Sequence, residues 1–353
     1  MSNSKAADIL KRFKKTSSVE EASIFSESEL YTTKESIPTP IPILNLALSG
    51  KFFDGGITKG CTVIAGASRS FKTNISLLCL KAYLEKYEDA VGLLYDSEFS
   101  FTPEYLGSFG IDTSRVFITP ITDLDKLKND IVNQIDEVKQ GEHVFILIDS
   151  VGNLASLKEI SDAQDGKSTM DMTRAKMMKS FFRMVTPRVN LKNIPFFTVN
   201  HVYETQELYS KTIISGGTGI MLSANTALII SRRKNQNKEE EGFEFVIKIE
   251  KSRFIREGHR FPLVIPAGGQ IKKWSGLFDL ALETGYIVKE GMKYAVPEVS
   301  SFDKAWKKDI EDSDEFWNMM FEKTTFKKAI EDAVKVTVDQ SSIFNSEEER
   351  IDE

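Results

Sequence analysis

Cysteine, histidine and long apolar runs are all scarce in this chain, and each scarcity removes a class of protein. With two cysteines and three histidines in 353 residues, neither a disulfide framework nor a cluster with metal-ligand spacing can be drawn. Cys61 and Cys79 stand in apolar surroundings, which reads as buried free thiols in a reducing compartment. No stretch approaches the roughly 18 apolar residues that cross a bilayer, and the opening MSNSKAADILKRFKK has neither the apolar core nor the cleavage site of an export signal. A cytoplasmic protein with no membrane partner is expected. Net positive charge is missing as well, and a formal charge of -6 argues against a protein that coats nucleic acid by bulk attraction. The acids are gathered, however: five with a single base in residues 347–353, and five more in residues 309–315. A locally basic nucleic-acid surface stays open.

What is present is a chain that is 41% hydrophobic and long enough for two or three domains. Residues 5–14 set Ala6, Ile9, Leu10 and Phe13 at helical spacing against Lys5, Lys11, Arg12, Lys14 and Lys15, a basic amphipathic helix too short to stand alone. A polar segment follows to residue 36, relieved by Val19, Ala22, Ile24 and Phe25, and the proline-punctuated run 37–44 leads into the main body. Apolar strands are expected at 91–99, 143–150 and 193–201, with helices at 124–141 and near 172–187. This alternation is that of an α/β fold with a mostly parallel sheet between helices. Residues 226–234 and 243–254 read as an antiparallel pair, and a small α+β unit begins near Trp274. The expected organisation is an N-terminal helix and linker (1–36), a core (37–272) and a small C-terminal domain with an acidic tail (273–353).

The most informative segment is GASRSFKT, residues 66–73, between the apolar Val63, Ile64 and Ala65 and a helix-like run from Ile75 to Leu80. Strand, loop and helix in that order suit a phosphate-cradling P-loop: backbone N–H groups and a helix amino terminus face the anion, Lys72 supplies a point charge and Thr73 a magnesium ligand. The binding segment runs Gly66, Ala67, Ser68, Arg69, Ser70, Phe71, Lys72, Thr73 and Asn74. Phe71 stands where the pattern has glycine, and a bulky aromatic does not readily take the positive φ that glycine allows. Further along, Phe145-Ile146-Leu147-Ile148-Asp149 is an apolar strand ending in the carboxylate that would orient magnesium-bound water. Another strand ends in Asp96-Ser97-Glu98, and from position alone either Asp96 or Glu98 can be the base that polarises the attacking water, or a helix cap.

Taken together, the P-loop, the DSEF glutamate, the LIDS strand and the VNH strand resemble the RecA family of recombinases, most closely its bacteriophage UvsX-type branch, where Phe in the P-loop is usual. The resemblance implies a RecA-type P-loop ATPase core with ATP and Mg2+ as cofactors. It makes Glu98 the catalytic glutamate, Lys72 and Thr73 the phosphate and magnesium ligands, Asp149 the second-sphere magnesium carboxylate, Tyr105 the aromatic on adenine, and His201 the γ-phosphate sensor. Lys251 and Arg253 match a pair of cations that reach a neighbouring subunit's nucleotide, and as residues i and i+2 of a strand they point to one face. DNA contact is implied for two loops. The first is about 158–173, with Met170 and Met172 as wedges and Arg174, Lys176, Lys179 and Arg183 on the following helix; the second is about 202–219, with Tyr209, Lys211, Gly216, Gly217 and Gly219. Ile24 and Phe25 are implied as assembly contacts, laid along a neighbour as an added strand, with a local turn contact of Phe25 as the competing view. The implied activity is a DNA-dependent ATPase that forms a helical filament on single-stranded DNA, pairs it with homologous duplex DNA and exchanges strands. A recombination mediator and a single-stranded-DNA-binding protein would assist it in a host cytoplasm. A ring-forming helicase or switch ATPase, and a nucleotide-regulated assembly module, are the alternatives.

Overall fold

The computed structural model describes residues 2–32, 35–166, 172–205, 212–233, 242–266 and 270–336. The chain divides into two compact units, Met1–Glu35 and Ser36–Glu353.

The first unit holds helix α1 (Ser2–Thr16), a single 3-10 turn (Phe25–Glu27) and helix α2 (Glu29–Thr32). α1 closes on Lys14 and Lys15, whose charge suits the carbonyl end of the helix dipole. Lys14 reaches Glu27 at 3.1 Å, and Phe25 stacks on Tyr31 with ring centroids 5.9 Å apart. Only Ile24 has the extended backbone expected of an added strand; within one chain Phe25 opens a turn instead. Its ring nevertheless stays 72% exposed.

The second unit runs α3 (Pro42–Ser49), β1 (Gly60–Gly66), α4 (Lys72–Lys86), β2 (Val91–Asp96), α5 (Pro103–Ser108), β3 (Val116–Pro120), α6 (Leu124–Glu137), β4 (Val144–Asp149), α7 (Leu157–Gln164) and α8 (Met172–Leu191). It continues with β5 (Pro195–Glu204), β6 (Thr212–Ile214), α9 (Thr218–Ser223), β7 (Thr226–Arg233), β8 (Gly242–Ser252) and β9 (Arg260–Pro266). The strands lie in the order β3-β2-β4-β5-β1-β7-β8-β9, with β6 paired to β5 outside that path. Pairing is parallel from β3 to β7 and antiparallel from β7 to β9. After the sheet come α10 (Leu277–Glu283), the hairpin β10 (Val288–Glu290) and β11 (Lys293–Ala295), then α11 (Lys307–Ile310), α12 (Asp314–Lys323) and α13 (Phe326–Val334).

Side-chain alternation divides the sheet between two hydrophobic clusters. In β4, Phe145 and Leu147 join Leu46, Leu77 and Leu80 on one face, while Ile146 and Ile148 join Ile131, Phe181 and Val185 on the other. The first cluster continues without a break into Trp274, Trp317 and Phe326, where the Phe52 ring lies 5.3 Å from Phe321 and 5.8 Å from Phe326. Cys61 and Cys79 are free, fully buried and assigned to opposite clusters. Burial pushes the Cys61 thiol up to about 12 and raises that of Cys79 as well.

Several boundaries depart from expectation for local reasons. α6 stops at Glu137 rather than near Gly141, because the Lys192 ammonium donates to the carbonyls of Ile135, Asp136 and Val138 and so closes the helix end. α8 runs through Pro187 to Leu191. Residues 158–164, expected as part of a loop, lie in α7: the Ser156 hydroxyl accepts from the Glu159 amide at 3.1 Å, an N-cap that satisfies one of the helix's otherwise unpaired donors.

Two glycines allow a test of how the C-terminal region is seated. Gly276 (φ +76°) precedes α10, and a Cβ there would lie 2.0 Å from the Pro262 carbonyl oxygen of β9, whereas Gly285 (φ +80°) faces open space. Gly285→Ala should cost about 1 kcal/mol from left-handed strain alone, and Gly276→Ala roughly 3 kcal/mol, because a backbone clash is added. Urea unfolding of the two variants checks the ordering.

Candidate functional site

The carboxyl ends of the parallel strands meet along one edge. Register sets Gly66 of β1 beside His201 of β5, and Asp96 of β2 beside Asp149 of β4, so the P-loop, both candidate bases and His201 share one end of the sheet. Gly66 is required there, since a Cβ would meet the Ile230 carbonyl oxygen at 2.4 Å. Beyond it the exposed Ala67, Ser68 and Arg69 turn the chain, the Ser70 hydroxyl donates to Ala67 O at 2.8 Å, and the Lys72 ammonium donates to the same oxygen at 2.7 Å. Burial lowers the Lys72 pKa, against the pull of the Asp149 and Glu98 carboxylates.

Phe71 does take the left-handed conformation that its side chain disfavours, with φ 59° and ψ 21° at the amino cap of α4. Its ring packs edge-on against Phe245 of β8 at 5.3 Å and lies 6.2 Å from Phe243. The expectation that an aromatic would resist this geometry is corrected: packing outweighs a backbone strain of about 1–2 kcal/mol.

Thr73 Oγ1 donates to Asp149 Oδ2 at 2.5 Å. Burial pushes the Asp149 carboxyl up to about 6, with the Thr73 bond opposing and the Glu98 charge assisting. Asp96 and Glu98 separate cleanly. Asp96 is buried, its two oxygens accepting the backbone amides of Glu98 (3.0 Å) and Phe101 (3.1 Å), so it shapes the turn. Glu98 reaches into the site, where its Oε1 accepts from the Ser150 hydroxyl at 3.1 Å and Asn153 Nδ2 at 3.0 Å, and lies 3.2 Å from His201 Nε2. Its Oε2 has no hydrogen-bond partner among the described residues. Tyr105, half-buried in α5, donates to Asn74 Oδ1 at 3.3 Å and lies parallel to Phe101 at 6.5 Å.

Lys251 and Arg253 are at the other edge. Lys251 pairs with Ala227 near the start of β7, and Ala227 pairs with Val63, three residues before Gly66, which is about 10 Å of strand. The Lys251 ammonium donates to the carbonyls of Met221 (2.6 Å) and Leu222 (3.3 Å); burial lowers its pKa, and the nearby Arg253 charge adds to that. β8 ends at Ser252, so Arg253 follows the strand rather than lying in it.

Of the expected DNA contacts, Lys176, Lys179 and Arg183 are exposed on α8, and Gly216 and Gly217 have φ of +105° and +75°. Arg174 differs: its guanidinium is taken up by the carbonyls of Leu154, at 2.8 Å, and Gly152. Gly219 is buried, and a Cβ there would meet Lys179 Cα at 2.7 Å, so it allows α9 to approach α8. The second loop is partly a hairpin, β5 pairing with β6 from Val202↔Ile214 to Glu204↔Thr212. Ser215 N donates to His201 O at 2.8 Å. Met170, Tyr209, Lys211 and the tail 347–353 lie outside the described residues, as does the Met172 side chain.

Sequence reasoning missed Ser150 and Asn153 as partners of Glu98; only their place just after Asp149 could have drawn notice. It also missed a cavity of about 480 Å3 on the antiparallel part of the sheet, where Arg232, Arg233, Lys248 and Arg260 outnumber the single acid Glu283, which lies 3.8 Å from Arg233. The adjacent pair Arg232-Arg233 at the end of a strand was the available signal.

With this geometry in place, comparison with known proteins is decisive. The RecA N-terminal domain matches residues 7–259, and the C-terminal domain of the bacteriophage T4 recombination and repair protein matches residues 274–330. The chain belongs to the RecA family. It is 41% identical over 351 residues to the recombination and repair protein of Enterobacteria phage T4, which covers 97% of this chain and 90% of that protein. Protein RecA of Synechococcus sp. strain CC9902 is 26% identical and that of Streptomyces rimosus 28%, each over 265 residues, 74% of this chain and 68% of the relative.

Phe71 provides a test of the loop. Phe71→Gly loses the ring but keeps the turn at ease, while Phe71→Ala loses the ring and retains the strain. Phe71→Ala should therefore be the less stable by about 1 kcal/mol and the weaker ATP binder, measured by urea denaturation and nucleotide titration. Equal stability would mean that the loop abandons the left-handed turn.

Proposed function

We propose that this protein is an ATP-dependent homologous-recombination protein, a DNA-dependent ATPase that forms filaments on single-stranded DNA, pairs the bound strand with homologous duplex and exchanges strands. The observation that carries the site assignment is the set of contacts on Glu98 Oε1 by Ser150, Asn153 and His201, directly beside the P-loop. A carboxylate held on one oxygen presents the other to a water, and general-base catalysis needs that geometry before it needs a matched pKa. His201 lies between this base and the second loop, to which its strand is hydrogen-bonded, so contact with the γ-phosphate or with DNA bears on the same oxygen.

The Thr73 hydroxyl and the Asp149 carboxylate are hard oxygen donors of the kind Mg2+ takes, one or two per site with phosphates and water completing the shell. Among the described residues no cluster of three or more acidic, His or Cys side chains can hold a metal on its own. Bound there, Mg2+ would spread the charge of the β- and γ-phosphates. Tyr105 offers its ring to adenine.

Lys251 and Arg253, at the edge away from their own P-loop, are placed to act on the nucleotide of an adjoining subunit, as arginine fingers do in trans. Ile24 and Phe25 serve assembly, Phe25 offering an exposed ring to a neighbouring core. Lys176, Lys179 and Arg183 face the bound strand, and the cavity of Arg232, Arg233, Lys248 and Arg260 suits the incoming duplex. The acidic tail competes with DNA for these cations, a mediator and a single-stranded-DNA-binding protein manage loading, and the setting is the host cytoplasm. No helix among the described residues is long and apolar enough to cross a membrane.

Glu98→Gln keeps shape and removes the base, so ATP hydrolysis should fall on the order of a hundredfold or more while ATP binding and filaments on single-stranded DNA persist. Electron microscopy of that variant with ATP also separates helical filaments from closed rings. Lys251→Ala or Arg253→Ala should spare ATP binding by the monomer and abolish DNA-stimulated hydrolysis. Mixing either with Glu98→Gln should restore a measurable rate at mixed interfaces, and no recovery at any ratio would place both defects in the same subunit's site.

A further inference from the structure

We propose that Arg174 and Asn153 form a positioning pair for Glu98, through which the start of α8 governs the orientation of the base. The proposal rests on the reading of Glu98 as that base. Arg174 lies in the first turn of α8, immediately after the first DNA-facing loop. Its Nε donates to Leu154 O at 2.8 Å and its Nη2 to Gly152 O, the carbonyls on either side of Asn153, which ends the 3-10 turn Val151–Asn153. Asn153 Nδ2 in turn donates to Glu98 Oε1 at 3.0 Å.

The rigid guanidinium fork thus holds the peptides on either side of Asn153, one of the three side chains that reach the base, a geometry a point-charge ammonium cannot reproduce. The opposite side of the turn is filled. A Cβ on Gly152 would lie 2.5 Å from Ser215 Oγ, and Ser215 adjoins Gly216 at the end of the second loop. The turn at 151–153 is therefore wedged between Arg174, just after the first DNA-facing loop, and Ser215, at the end of the second. Lys176, Lys179 and Arg183 remain exposed on α8 for phosphates, while the Arg174 charge is committed inward. Phosphates that fix α8 through those three cations steady the Arg174 clamp and so the Asn153 bond, a route from DNA to Glu98 separate from the one through His201.

The test uses the full chain with saturating single-stranded DNA. Arg174→Ala and Asn153→Ala should each lower the DNA-saturated kcat about tenfold, the usual worth of one hydrogen bond to a charged group. KM for ATP, and affinity for single-stranded DNA with a slowly hydrolysed ATP analogue, should change by less than about twofold, and the double variant should be no slower than the slower single, because both act through one oxygen. Arg174→Lys should recover only part of the rate. Weakened DNA affinity with unchanged kcat at saturation would make Arg174 a simple DNA contact and overturn the proposal, as would losses that multiply in the double variant. Asn153 is exposed, so its variant decides the matter if Arg174→Ala does not fold. Undiminished hydrolysis by Glu98→Gln in parallel overturns the base assignment itself, and is thereby told apart from failure of the pair alone.

Discussion

Parallel register between β1, β2, β4 and β5 is the constraint on which the whole ligand edge rests, because the groups that meet there come from four separate strands. The P-loop leaves β1, Glu98 follows β2, Asp149 closes β4 and His201 lies in β5. A slip of two residues in any one pairing would move its group by about 7 Å, more than twice the length of the bonds to Glu98. A slip of one residue would exchange the faces, driving Phe145 and Leu147 toward the cluster packed to fit Ile146 and Ile148. Burial on both faces therefore fixes the chemistry: the same alternation that builds the core determines which side chains meet at the edge.

The parts legible in the sequence are those with a short-range signature. Continuous apolar runs gave away β1, β2, β4 and β5, whereas β3, a mostly exposed strand at the sheet edge, was missed, and the flanking strand and helix made sense of residues 66–73 despite Phe71. Asp149 was visible as a carboxylate at the end of such a run. Choosing between Asp96 and Glu98 from position alone was impossible, since two residues apart after one strand they look alike; the distinction lies in backbone amides that bend around onto Asp96. α7 was legible in principle, for Ser156 and Glu159 have the spacing of a capping box, but the polarity of the segment hid it. Arg174 could not have been read locally. A cation in a helix following a loop looks solvated, and only tertiary packing brings the carbonyls of Gly152 and Leu154 to it.

Phe71 ties two regions that the chain order keeps far apart. Its ring rests on Phe245, Phe243 lies close by, and the Arg232 guanidinium sits 4.4 Å over the Phe243 ring. The P-loop turn is thus braced against the same antiparallel strands that line the Arg-rich cavity, so a residue that costs backbone strain also joins the ligand edge of the core to that cavity. A glycine there would ease the turn and leave it without that brace.

The two thiols give the fold a built-in reporter. Cys61 and Cys79 are the only cysteines, both are fully enclosed, and burial holds each in the protonated form, whereas alkylating reagents attack thiolates. Modification therefore has to wait for an opening of the structure that admits solvent. Because one thiol belongs to each side of the sheet, their separate rates of alkylation would time the loosening of the two layers independently, and a single cysteine engineered onto the surface would take a fluorophore with both native thiols left in place.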